Sequence, residues 1–128
     1  MTALRDRFLT AMRTFDADAM ADVLALDAVA WRNIGNRSRS AQEVIDMLRL
    51  ERALVPSSSL RVRHESTTED GFVVQLDFAG TTTGGAEFAI PICIVAHVAD
   101  DRVTAFEEYV DETSLRPLLE EFLARTGS

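Results

Sequence analysis

Leu4, Phe8, Met12 and Phe15 recur at helical spacing while Arg5, Asp6, Arg7 and Arg13 fall off that face, which predicts an amphipathic helix over residues 2–15. Asp16 and Asp18 suit the cap of a second helix that carries Met20, Val23 and Leu24. Ala28-Val-Ala-Trp-Arg32 has the form of a short strand, and Asn33 to Ser40 is a loop rich in turn formers. Ser40-Ala-Gln-Glu43 has the capping-box form and opens a third helix, whose buried stripe is Val44, Ile45, Leu48 and Ala53 or Leu54. Pro56-Ser-Ser-Ser59 ends it. The period then changes to two: residues 60–68, 71–80, 86–99 and 102–111 are four strands joined by short turns, an antiparallel meander. Thr113 or Asp111 caps a last helix, with Pro117 near its first turn and Leu115, Leu118, Leu119 and Phe122 inward. Helices first and a sheet after them make an α+β pattern, and the absence of repeats or linkers makes residues 1–128 one domain.

The last strand breaks the alternation expected of a half-solvated sheet. Thr104, Phe106, Glu108 and Val110 share one face; Val103, Ala105, Glu107, Tyr109 and Asp111 share the other. Burying either face buries an acid, and Glu108 lies between Phe106 and Val110 on the more apolar one. A buried acid is costly unless it is partnered or working, so Glu108 is a candidate catalytic group. On the 71–80 strand, Phe72, Val74, Leu76 and Phe78 form an apolar face, with Gln75 and Asp77 on the other.

Composition narrows the function. Net charge is −8 with a pI near 4.7, which argues against a nucleic-acid or anionic-membrane surface. All 13 basic residues are arginine, so neither a Schiff base nor a phosphate-binding lysine loop is available. Two distant histidines and the single Cys93 have no metal-ligand spacing, and no cofactor motif occurs. The charged N-terminus is unlike a signal peptide, and the longest apolar stretch, residues 88–98, is too short to span a bilayer; a cytoplasmic protein is expected. His97, in an apolar strand, is either a packed residue or a pocket acid–base, whereas His64 reads as exposed and Cys93 as core.

The helical first half, the Ala-Val-Ala-Trp strand, the four-stranded sheet and the strand-then-helix ending together resemble the nuclear transport factor 2-like superfamily, which includes ketosteroid isomerases, polyketide cyclases and limonene-1,2-epoxide hydrolases. The resemblance implies helices packed on a strongly curved, mainly antiparallel sheet of four to six strands, forming a cone with a central pocket, and a homodimer through the sheet's outer face. Phe106-Glu-Glu-Tyr-Val-Asp111 matches the end of the last strand in the epoxide-hydrolase branch. That match implies Glu108 as the water-activating base, Asp77 as its acid partner, and Trp31 and Asn33 as the residues that hold the water. Gln75 stands where the branch has an arginine between its two carboxylates, and Trp31 where it has a tyrosine. Without that arginine, Asp77 and Glu108 in one pocket are expected to share a proton. The isomerase base has no counterpart, since Arg32, Asn33 and Ile34 occupy its region.

Two readings follow. One is a cofactor-free enzyme acting on a hydrophobic small molecule, with Glu108, Asp77 and Asn33 catalytic and Trp31, Gln75, Phe106 and His97 lining the substrate site. The other is a non-catalytic ligand-binding or dimerisation module of the same fold. A protein-interaction role would need an exposed apolar patch, which no linear pattern locates.

Overall fold

Phe8 is where helices and sheet meet. In the computed structural model, which describes residues 2–126, its ring is fully buried and packs edge-on against Phe72 and Phe106, at centroid distances of 5.9 and 5.3 Å. Burying one such side chain contributes about 1.5–3 kcal/mol. It belongs to α1 (Thr2–Thr14), and α2 (Ala17–Val23) follows with Asp16 as its N-cap, the Asp16 carboxylate accepting from the Ala19 amide at 3.0 Å. Between them Phe15 takes a left-handed φ of 50°, and the Asp16 and Phe15 amides donate back to Ala11 and Met12, the bonding of a helix C-cap normally built on glycine. The roughly 1–2 kcal/mol this costs a side-chain-bearing residue is offset by burial of the Phe15 ring against Phe78.

The chain continues as β1 (Leu24–Arg32), a 3₁₀ turn (Ile34–Asn36), β2 (Arg37–Ser40), α3 (Ala41–Leu54), β3 (Ser57–Thr67), β4 (Gly71–Thr81), β5 (Glu87–Ala99), β6 (Arg102–Val110) and α4 (Glu112–Thr126). The six strands form one sheet in the order β2-β1-β6-β5-β4-β3. The predicted meander is β3 to β6, antiparallel throughout; β1 adds to it in parallel beside β6, and β2 closes the other edge antiparallel to β1. This is the expected α+β architecture: four helices on a six-stranded, curled, unclosed sheet, ending in a helix.

Local signals held where chemistry was explicit. Ser40 and Glu43 form both halves of the capping box, at 3.2 and 3.1 Å. Asp111 caps α4, accepting from the Ser114 amide and hydroxyl at 2.9 and 2.6 Å, although Pro117 falls inside the helix rather than in its first turn. The predicted loop at 33–40 is a correction: its second half is β2, an Arg-Ser-Arg-Ser edge strand with no apolar residue to betray it. Gly35 and Asn36, both at positive φ, reverse the chain into it. Opposite that edge, α4 is held down by Glu121, whose carboxylate accepts from the Thr82 hydroxyl at 2.7 Å and the Gly84 amide at 2.8 Å.

Candidate active site

The concave face of the sheet and the four helices enclose a cavity of about 80 Å³. Phe8 and Met12 line it from α1, Phe15 from the turn after α1, Val44, Met47 and Leu48 from α3, and Phe78, Ile90, Ile92 and Phe106 from the sheet. Four charged side chains interrupt this apolar wall: Arg32, Arg39, Glu51 and Glu108.

Strand register explains three of them. Ala28, Ala30 and Arg32 point to the same face of β1, and the two alanines are buried. Arg32 lies beside Glu108 in the parallel β1–β6 pairing, and Ala30 lies between Phe106 on β6 and Arg39 on β2. Glu108 is 8% exposed and faces Ile94 across β5, itself fully buried. Arg32 therefore meets the carboxylate from the next strand: its Nε donates to Glu108 Oε1 at 2.7 Å and its Nη2 reaches the same oxygen at 2.6 Å. Burial alone would push the Arg32 guanidinium down; the Glu108 charge, aided by Glu51, outweighs it and raises the guanidinium's pKa. Both bonds land on one oxygen. Among the described residues Oε2 has no hydrogen-bond partner, yet the only sealed, unpartnered side-chain polar atom is Arg5 Nε, so Glu108 Oε2 opens into the cavity.

Glu51 comes from α3, one helical turn beyond Leu48. Burial pushes its carboxyl up to about 7, the Glu108 charge adds to the rise, and Arg32 and Arg39 pull against it. Arg39 is lowered, first by burial and then by Arg32. The cavity thus holds one carboxylate fixed by an arginine, one carboxyl poised near neutrality and a second arginine. An ionised base beside a protonated acid is the requirement for proton transfer in both directions within one turnover.

Of the residues expected at the site, Glu108 and Phe106 line the cavity. Trp31 borders it, but its ring packs edge-on against Tyr109 at 5.3 Å and its indole N–H donates to Asn36 at 2.7 Å, so the side chain is committed to the outer side. Asp77 is a correction. It projects from the face of β4 opposite to Phe78, 33% exposed, and pairs with Arg61 at 3.0 Å and Arg63 at 3.7 Å. The expected Asp77–Glu108 pair, sharing a proton without a cation, does not form; each acid has its own arginine. Gln75 shares that outer face and is exposed, bordering a shallow groove with Tyr109 and Cys93. Asn33 does not reach the cavity: its side chain donates to the Val110 carbonyl at 3.1 Å and accepts from the Val110 amide at 2.9 Å, tying the end of β1 to β6. His97, near the end of β5 and opposite Ala105, is not in the cavity lining; its two ring nitrogens are each 3.0 Å from a carboxylate, Asp70 and Glu107, and the Asp70 hydrogen bond, then Glu107, hold its pKa up.

Sequence reasoning passed over Arg32, Arg39 and Glu51. Two of them had a signal. Arg32 continues the Ala28–Ala30 alternation, and Glu51 extends the Val44–Leu48 stripe by one turn; each is a charge on an apolar face, the anomaly that singled out Glu108. Arg39 had none, because β2 itself was illegible. Among the described residues no cluster of metal-ligating side chains occurs, and no helix is long and apolar enough to cross a membrane.

Comparison with known proteins agrees with this architecture. No curated protein sequence matches the chain. The chain is similar in structure to PrhC from Penicillium brasilianum (TM-score 0.83, 15% identity, covering 98% of this chain and 89% of that one). It is similar to an epoxide hydrolase of the LEH-like type from M. tuberculosis (TM-score 0.74, 21% identity, 97% and 92%). It also resembles IdmH, a candidate polyketide cyclase from Streptomyces antibioticus (TM-score 0.77, 17% identity, 91% and 96%). At these identities the likeness is one of fold. A family model covers residues 6–106, from the first turn of α1 into the last strand, and by that match the chain belongs to the SnoaL-like domain family.

Proposed function

We propose that this protein is a small-molecule enzyme performing acid–base chemistry on a hydrophobic substrate, either epoxide opening or the proton transfers of a cyclase or isomerase. Glu108 is the general base and Glu51, in place of Asp77, the general acid. The observation that carries the reading is Glu108 itself: a buried carboxylate in an apolar cavity, with one oxygen gripped by Arg32 and the other open to a ligand. Arg32 grips one oxygen of the base and fixes its orientation. In ring opening, Oε2 of Glu108 takes a proton from attacking water while protonated Glu51 gives one to the departing epoxide oxygen; proton return between the two acids restores both. In a cyclase or isomerase the same pair removes a proton beside a carbonyl and delivers one elsewhere. Asn33 serves as a positioning residue two steps from Glu108 through its clasp on Val110. The same reading carries a homodimer through the outer face, where Val29 and Tyr109 are exposed.

Glu108→Gln keeps the shape and an acceptor for Arg32 but removes the base. Across a panel of epoxides and cyclic ketones, turnover of any substrate found should fall by about 10²–10⁴-fold, with ligand affinity changed only a few-fold. A panel in which no activity depends on Glu108 would favour a non-catalytic ligand-binding module of the same fold.

A further inference from the structure

Arg39 is the cavity charge that the chain leaves unanswered. Among the described residues its guanidinium makes no ion pair and no hydrogen bond, although it lines the cavity and is half-buried. The three acids whose charge it feels are Glu108, Glu51 and Glu43. Glu108 is held by Arg32 at 2.6 Å. Glu43 is engaged by Arg37 at 2.8 Å and by the Ser40 amide at 3.1 Å. Glu51 is driven toward its neutral form by burial, which leaves it a weak counter-ion. A half-buried guanidinium has up to five donors and gains little from an apolar wall, so its vacancy is chemically specific.

We propose that Arg39 is an anion-recognising subsite and that the substrate is a hydrophobic molecule bearing a carboxylate. This rests on the reading of the cavity as a small-molecule site. A planar guanidinium and a carboxylate match in a two-bond fork. A phosphate dianion would bring two charges against this one open cation, with Glu51 and Glu108 nearby. Arg39 lies opposite Ala30 in the β1–β2 register, two residues along β1 from Arg32, a backbone offset of about 6–7 Å. The substrate's carboxylate and its reacting atom are therefore several bonds apart. The carboxylate anchors the molecule at the β2 edge, and the reacting atom lies over Glu108.

The test is equilibrium binding of 2-naphthoate and of 2-naphthamide, equal in shape and different in charge, to the wild-type chain and to the Arg39→Gln and Arg39→Lys variants. The wild type should bind the naphthoate about tenfold or more tightly than the amide, and added salt should narrow the gap. Arg39→Gln should abolish the preference with the amide's affinity within twofold of wild type, and Arg39→Lys should restore part of it. Arg39 makes no contact whose loss would unfold the chain, and an unchanged melting temperature checks this. Equal binding of the two probes, binding of neither, or a preference that survives Arg39→Gln overturns the proposal. Charge selection without any Glu108-dependent turnover upholds the subsite and sinks the enzyme; Glu108-dependent turnover without charge selection does the reverse.

Discussion

Glu51 should cost the protein stability, and by an amount that depends on pH. Its carboxyl is raised by burial from 4.5 to about 7, so between those values the unfolded chain has released a proton that the folded chain still holds. The penalty is absent below pH 4.5, grows as pH rises through the interval and is complete above 7. That rise corresponds to about 3 kcal/mol at pH 8 and about 1 kcal/mol at pH 5. Glu51→Gln, nearly equal in shape and never charged, should therefore stabilise the protein, and the gain should grow by up to about 2 kcal/mol between pH 5 and pH 8. Screening by solvent at the cavity mouth brings the expected growth to about 1–2 kcal/mol. Denaturant unfolding of both proteins at the two pH values measures it. His97, held charged by Asp70 and Glu107, also loses stabilising power as pH rises through its raised pKa, but it is common to both proteins and cancels in the difference. A gain that stays constant within 0.5 kcal/mol, or a loss at pH 8, would show that Glu51 is not held in its neutral form and would remove the general acid from the mechanism.

Two further outcomes separate the inner charges from the outer ones. Arg32→Met strands Glu108; breaking a buried pair costs roughly 3–5 kcal/mol, and because Arg32 is 25% exposed we expect the lower part of that range, read as a fall in denaturant midpoint. Arg32→Met combined with Glu108→Met should recover most of it, and a double variant no better than the single would show that the pair is not the source of the loss. Asp77→Asn should alter turnover by less than about twofold and stability by no more than about 1 kcal/mol, since its arginines are exposed partners on the outer face. A hundredfold loss of activity would return Asp77 to the site.

Local order alone determined the α+β class, the helix caps and the four-strand meander, because spacing at 3.6 or 2, a capping box and a tight turn act over a few residues. It also determined that Glu108 is anomalous, since the face a strand residue shares with its neighbours follows from parity. Which face is the inside does not. The four apolar residues of β4, from Phe72 to Phe78, define the concave side only once the helices settle there, and that places Asp77 and Gln75 outside although both sit on a cavity-forming strand. The partner of Glu108 depends on β1 lying parallel beside β6, a pairing across 76 residues that no short-range pattern encodes. Arg39 depends on an edge strand with no apolar periodicity. An ion pair or an open cation is a property of elements brought together by burial of apolar surface elsewhere, so the residues that carry charge into the cavity became visible only when the sheet curled around them.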